Sequence, residues 1–484
     1  MTIPPALTTR HLKEFLLAAC FLQGLGAGLE RLGSLDGVVP VISYLALLAL
    51  LSGGLVASAY IRSAPLRWTT ALLLSASAFF YYAYEKVTSD FLTYDAFINM
   101  LNAASFADDA VSQNLRAILI VGVSALILLA ALGMESRHRP RVPAWLLAMA
   151  PWLAVCLLAL VLFVRGGEGA RAQPATFTPL AYLALAAYEA TADSGPRHDV
   201  ALPQHGAIPS RDIVLIIDES ISGQYLDIND PAGVPTPLSK AYPGVAIHNY
   251  GLAVAINNCS AGSNVTLRFG GTRENYSHII STMPSIWQYA RKAGYRTVYI
   301  DAQRTGGAFQ NLMNQDERRS IDEFLQFDGV PVQQRDIATA HSLVTHINDG
   351  IPQFILINKV GAHFPVHDKF PDAFMRYRPV LPRGHFPPLS DTGDRYGFDG
   401  SRQDWVRYRN SYRDTLLWNV GEFFRIVLQG ADLAKATLIY TSDHGQNLHE
   451  RGDGGRNTHC SIDPVPEEGV VPLVVLEGAR VRTH

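Results

Sequence analysis

The stretch "IYTSDHGQNLHERGDGG" occupies residues 439–455. It opens as an apolar strand and then sets Asp443 and His444 side by side before Gly445. That pairing matters because open α/β sheets bind their ligands beyond the carboxyl ends of the strands. Taken alone, Asp-His-Gly serves equally well as a turn, so the remainder of the chain has to decide.

Four further β-branched runs, "DIVLIID" (212–218), "RTVYID" (296–301), "QFILINK" (353–359) and "GVVPLVVLE" (469–477), join "ATLIYTSD" (436–443). They alternate with helical periodicities at 284–295 and 404–429. Strands interleaved with helices predict an α/β domain built on a mainly parallel sheet. Its ligand edge then collects Asp218 and Glu219, Asp301, the segment Asn358 to His363, and Asp443 with His444. Each alone reads as a helix cap or a structural side chain. Independent caps, however, have no reason to bring acids and imidazoles to so many ends of one sheet.

Carboxylate oxygen with imidazole nitrogen suits Zn²⁺, with Mn²⁺ the weaker preference. No Cys-x-x-Cys or His-Glu-x-x-His pattern competes. A transfer or hydrolytic centre also needs a nucleophile, and "INNCSAGSNVTLRFGG" (256–271) supplies Ser260, Ser263 and Thr266 beside Gly262. The glycine permits a tight turn that opens a helix with its amides free.

The first third is of another kind. Charged residues make up 17% of the 484-residue chain and apolar types 48%, against roughly 25% charged in ordinary soluble domains. The net charge of −3 and the lack of a basic run exclude a nucleic-acid partner. Apolar runs at 37–61, 66–84, 116–134 and 143–164 are each long enough to cross hydrocarbon. A weaker run at 14–32, interrupted by Gln23 and Glu30, reads as a first span or a signal segment. Five spans are therefore expected. Arg10, Lys13, Arg62, Arg67 and the segment "ESRHRPR" (135–141) mark the cytoplasmic side. Everything after residue 165 is then outside, where Cys259 and Cys460 are free to pair. The expected organisation is a transmembrane bundle over 1–165, a linker with a short helix over 166–207, and a catalytic domain over 208–484. The helix, near 180–191, is expected either at the membrane surface or packed on the soluble domain.

Taken together, these motifs resemble the alkaline-phosphatase/sulfatase superfamily, and within it the inner-membrane phosphoethanolamine transferases. Lipoteichoic acid synthases are more distant relatives. "VLIIDES" resembles the strand leading to a metal-binding Glu, here Glu219, with Asp218 where the family usually has Gly. "CSAGSN" resembles the nucleophile segment and aligns Ser263 with the attacking threonine, Ser260 and Thr266 remaining rivals. "GAHFPVHDKFPDAF" and "HCSIDPVPEEGVVPLVV" resemble the segments that carry His363 and His459. "SDHGQNLHERG" resembles the zinc-binding Asp-His stretch.

The resemblance implies a sulfatase-like periplasmic domain on a bacterial inner-membrane anchor. Glu219, Ser263, Asp443 and His444 would hold one or two Zn²⁺, and Ser263 would be the nucleophile. His363 and His459 would contact phosphate. The implied reaction moves phosphoethanolamine from a membrane phospholipid, phosphatidylethanolamine, to lipid A or another surface glycan. The alternatives are a phosphodiesterase or sulfatase-like hydrolase and a glycerol-phosphate transferase. A Cys259–Cys460 bridge is also expected, because the family places a disulfide near its nucleophile.

Overall fold

The computed structural model describes residues 12–88, 91–102, 107–136, 140–192, 197–201, 210–271, 276–363, 365–384, 398, 400–452, 458–461 and 464–478. Residues 193–196 and 202–209 of the expected linker, residues 103–106, and residues 137–139 of "ESRHRPR" lie outside the described residues. So do 364, 453–457 and 462–463 of the quoted motifs. The chain divides into two compact units, 1–192 and 193–484.

The first unit is helical. Among the described residues, four helices are long and apolar enough to cross a membrane: Leu12–Gly33, Val38–Ala59, Leu115–Gly133 and Ala144–Val164. The expectation of five spans is corrected at 66–84. That run falls in the helix Ala64–Thr88, whose 25 residues would reach roughly 37 Å. Its apolar face, however, is diluted by Arg67, Thr70, Ser75 and Ser77, all buried among neighbouring helices.

Small residues let the helices close on one another. A Cβ at Gly54 would meet that of Ala154 at 2.8 Å, and one at Gly133 would meet the Trp68 ring at 2.3 Å. Two buried cations then close the helix ends. Lys13 Nζ donates to the carbonyls of Ala59 (2.5 Å) and Met134 (2.6 Å), and Arg67 donates to those of Gly133 (3.0 Å) and Ile61 (2.9 Å). The last carbonyls of a helix lack intrahelical partners and carry its negative end, so cations there satisfy both needs. The helix expected near 180–191 is Thr178–Ala192, and it packs within this first unit through the buried Ala181, Tyr182 and Leu185.

The second unit is built on a seven-stranded sheet: β1 (Asp212–Asp218), β2 (Val245–Val254), β3 (Arg296–Asp301), β4 (Glu323–Gln326), β5 (Gln353–Asn358), β6 (Ala436–Ser442) and β7 (Val470–Gly478). Their spatial order is β2-β7-β6-β1-β5-β3-β4. The five strands from β6 to β4 are parallel, and β7 pairs antiparallel with both β6 and β2. Alternate side chains of each strand point to opposite faces. Val298, Ile300, Ile355 and Ile357 join one core, with Trp405, Tyr412 and Phe424, while Tyr299, Phe354 and Leu356 join another around Trp287.

Charge is buried directly beneath the carboxyl edge of the sheet. Lys359, at the end of β5, is fully buried; its Nζ lies 2.5 Å from Asp218 Oδ2, 2.6 Å from the Asn419 carbonyl and 3.8 Å from Asp336 Oδ2. Asp336 comes from the helix Val332–Asn348 and accepts the amides of Val360 (2.8 Å) and Gly361 (3.0 Å). Asn419 sits in a π-helical turn, Leu417–Glu422, between the helices Arg402–Leu416 and Phe423–Gly430. One ammonium thus ties two strands to two helical segments. Removing one partner of a buried ion pair strands the others in a dry interior. Lys359→Met is expected to cost about 3–5 kcal/mol, read as a fall in the unfolding temperature of the full-length protein. The double variant Asp218→Asn/Lys359→Met should recover part of that loss; no recovery would mean the lysine acts through packing alone.

Candidate functional site

The pairing of β1 with β6 sets Asp218 opposite Ser442, so the next residue on each strand, Glu219 and Asp443, emerges at the same edge. The Asp443 amide donates to the Asp218 carbonyl at 3.0 Å and extends that register one step further. Glu219, Asp443 and His444 are all buried, and their ligand atoms lie within 4.8 Å of one another.

Their neighbours fix them. Asp443 Oδ1 accepts the amides of Ser220 (3.0 Å) and His444 (2.7 Å), and Asn264 donates to Oδ2 (3.2 Å). Ser220 Oγ donates to Glu219 Oε1 (2.8 Å) and Gln303 Nε2 to Oε2 (3.1 Å). His444 Nδ1 lies 2.7 Å from the Gly445 carbonyl, which leaves Nε2 to face Glu219 at 3.2 Å. Two glycines allow this crowding. A Cβ at Gly361 (φ +55°) would stand 2.3 Å from the Glu219 carbonyl, and one at Gly445 would stand 2.3 Å from that of Glu467.

The donor set fits a divalent cation on its own chemistry. Two carboxylates and an imidazole converge out of water, and among the described residues the ion-pair partner within 4 Å of both acids is His444. Buried like charges of this kind call for a cation or for protons. The titration of the cluster reflects that demand. Burial, reinforced by the charge of Glu219, pushes the Asp443 carboxyl up to about 8. Burial opposes charging of His444, but Asp443 and Glu219 outweigh it and lift the imidazole to about 9. For Glu219, burial is outweighed by hydrogen bonding to and the charge of His444, which hold the carboxyl well below its usual range.

The hydroxyl that reaches the cluster is not the expected one. Ser260 opens the helix Ser260–Phe269, and its Oγ lies 2.9 Å from Glu219 Oε1 and 3.1 Å from His444 Nε2. The Ser263 hydroxyl instead donates to the Asn257 carbonyl (2.8 Å), and Thr266 Oγ1 bonds back to the Gly262 carbonyl (2.7 Å). Ser263, expected as a donor to the cluster, thus has its hydroxyl engaged by the backbone and not by Glu219, Asp443 or His444. The first turn of the helix faces the sheet edge, while one turn further in the hydroxyls are consumed locally. Gly262 does not open the helix; it admits the Asn257 side chain, which a Cβ there would meet at 2.5 Å.

The two remaining histidines come to the same place. The His459 ring stacks on His444 with centroids 4.4 Å apart, and the His363 ring lies 5.5 Å from His459. A Cys259–Cys460 disulfide joins the residue before Ser260 to the residue after His459. Asp301 stays apart: its carboxylate accepts from Gln303, Gln310 and Gln326, as a structural acid does. Sequence reasoning missed Ser220, Asn264, Gln303 and Asp336. None carries a chemical signature: the hydroxyl and amides look like any surface polar residue until the fold closes, and Asp336 lies within a polar helical sequence that hides its burial.

The sulfatase family model matches residues 211–475, the span that contains every residue of this site. No curated protein sequence matches the chain. Among solved structures, the integral membrane protein lipooligosaccharide phosphoethanolamine transferase A (EptA) from Neisseria meningitidis aligns with 98% of this chain and 89% of its own, at 16% identity and a TM-score of 0.64. The C-terminal periplasmic domain of EcEptC from Escherichia coli, in complex with Zn, aligns with 59% of this chain and 77% of its own, at 17% identity and a TM-score of 0.46. At such identities the likeness to EptA speaks for a shared fold. The family match spans more than half of the sequence and coincides with the sheet and its metal-competent edge, and the chain belongs to the sulfatase family.

Proposed function

We infer that this protein is a metal-dependent phosphoethanolamine transferase of the bacterial inner membrane, with its sulfatase domain in the periplasm. The acceptor is lipid A or another cell-surface glycan. The observation that carries the reading is the Ser260 hydroxyl, within hydrogen-bond distance of both Glu219 and His444 at the mouth of a helix. The fold shared with EptA supports the class of donor and acceptor, and the four apolar helices support confinement to the bilayer that holds the donor.

Glu219, Asp443, His444 and Ser260 offer four donors, the number and kind that suit tetrahedral Zn²⁺. When bound, the cation supplies positive charge that lowers the pKa of a neighbouring hydroxyl and offsets charge gathering on phosphoryl oxygens. Ser260 Oγ gives up its proton to solvent and forms a bond to the phosphorus of phosphatidylethanolamine. The bond from phosphorus to the diacylglycerol oxygen breaks, and that oxygen takes a proton from the His363–His459 pair. An acceptor hydroxyl, deprotonated by the same pair, then displaces Ser260 from phosphorus. The first amides of the helix Ser260–Phe269 face the developing negative charge.

Incubation with headgroup-labelled phosphatidylethanolamine should leave label on the peptide bearing Ser260. Ser260→Ala should lower transfer by about 10³-fold or more and abolish the adduct, whereas Ser263→Ala should keep both. An adduct that survives Ser260→Ala would sink the assignment.

Protons and cation compete for Asp443 and His444, which are raised to about 8 and about 9. Below these values both groups hold protons that a cation must displace, so affinity falls as pH drops and rises until both have ionised. Zinc titration of the metal-free protein at pH 7, in buffers of different ionisation enthalpy, should report release of at least one proton per ion. Zero release would mean that Asp443 and His444 are not the ligands.

The disulfide sets two reacting segments against each other without touching the metal donors. Cys460→Ser should leave metal content unchanged and reduce turnover by about 10²-fold through misplacement of His459. Unchanged turnover would show the bridge to be purely stabilising.

A further inference from the structure

We propose that Asn264 is a positioning residue that decides how the cluster takes its cation: it confines Asp443 to ligation through one oxygen and so selects a small, four-coordinate ion. The proposal rests on the reading of Glu219, Asp443, His444 and Ser260 as one cation site.

Asn264 lies one turn beyond Ser260 on the helix Ser260–Phe269, so the two residues share a face. It is 2% exposed. Asparagine is a poor choice for a helix interior, because its side chain competes for backbone hydrogen bonds and favours caps and turns. A buried asparagine there needs partners beyond its own helix. Its Nδ2 donates to the Ser260 carbonyl (3.0 Å) and to Asp443 Oδ2 (3.2 Å). One planar carboxamide thus ties the backbone of Ser260 to the carboxylate that follows β6. The tie fixes the first turn of the helix against the sheet edge, with Ser260 Oγ 2.9 Å from Glu219 Oε1 and 3.1 Å from His444 Nε2.

The acceptor sites of Asp443 give this tie a chemical meaning. An ionised carboxylate has about four lone-pair sites, two on each oxygen. The amides of Ser220 (3.0 Å) and His444 (2.7 Å) occupy those of Oδ1, and Ser442 Oγ crowds the same oxygen at 3.4 Å. Asn264 takes one of the two on Oδ2, the oxygen that stands 3.8 Å from His444 Nε2. A single site is left for the ion. Ligation through one carboxylate oxygen suits tetrahedral Zn²⁺. Cations that gather six or more oxygens, or take a carboxylate through both of its oxygens, gain nothing from such a donor. Without the Asn264 amide, Oδ2 would offer two sites and the turn bearing Ser260 would lose its fixed distance from Asp443.

The test titrates the metal-free full-length protein with Zn²⁺ and with Mn²⁺, each against a competing chelator of known affinity. Asn264→Leu keeps the size of the side chain and removes the donor. Asn264→Asp keeps its shape and sets another carboxylate beside Asp443. Each should lower the ratio of Zn²⁺ to Mn²⁺ affinity by about tenfold or more, the scale on which residues behind the ligands act. Thr266→Val, on the same helix but with its hydroxyl bonded to the Gly262 carbonyl, should hold the ratio within about twofold. Loosening of the helix alone would weaken both ions together and leave the ratio where it was. A ratio unchanged in both Asn264 variants, or lowered equally by Thr266→Val, would overturn the proposal while the cation site stands. Failure of the unaltered protein to bind either ion would overturn the site itself, and the proposal with it.

Discussion

The second unit depends on one strand pairing. Parallel β1 and β6 run in a register that matches Asp218 with Ser442, and the two residues that follow are the carboxylates of the cluster. A slip of one residue would turn every side chain of one strand to the opposite face and send Glu219 and Asp443 apart. The register is held on both sides. Ser442 Oγ donates to the Asp218 carbonyl at 2.8 Å and accepts the Ile221 amide at 2.8 Å. Beneath, Tyr440 and Lys359 close on the Asp218 carboxylate. The site is therefore a by-product of how two central strands align, and the surrounding hydrogen bonds keep the alignment from drifting.

This edge of the sheet concentrates charge in two layers that behave differently. In the lower layer, Asp218 and Asp336 share Lys359, so the cation is part of the covalent chain. In the upper layer, Glu219 and Asp443 share a histidine whose charge depends on pH. The lower pair is a permanent truss. The upper one is adjustable, and its balance is set by whatever positive species occupies the space. Asp218 is accommodated in the dry interior because the end of β5 supplies a lysine to meet it.

Much of this was legible in the residues. The five β-branched runs are strands, because continuous Val/Ile/Leu stretches buried on both faces leave little else for the chain to do. Acids and a histidine at several strand ends converge, because a parallel sheet sends all its carboxyl ends one way. Two strands escaped notice for opposite reasons. β2 is half exposed along its length and interrupted at Asn249 to Leu252 by a bulge, so its alternation is blurred. β4 has four residues, too few to carry a period. The helix Val332–Asn348 was hidden by a polar sequence whose buried face includes Arg335, Asp336 and His346. Ser260 and Ser263 could not be told apart, since three residues along a helix put both on nearly one face and only the Asn257 carbonyl separates their fates. The run at 66–84 reads as a span in sequence because Thr70, Ser75 and Ser77 are small and spread among apolar residues.

The order of the strands carries a further consequence. β7, last in chain order among the described strands, lies between β6 and β2, so among those strands β2 has no neighbour to pair with until β7 has been made. Ser260 follows β2 by six residues, and its turn is bridged to Cys460 across a sequence separation of 201. Non-local contacts of this span form late and slowly. A chain made only as far as His444 can therefore possess the acids of the cluster while its serine is still adrift, and the site closes only once Cys460 and β7 have followed.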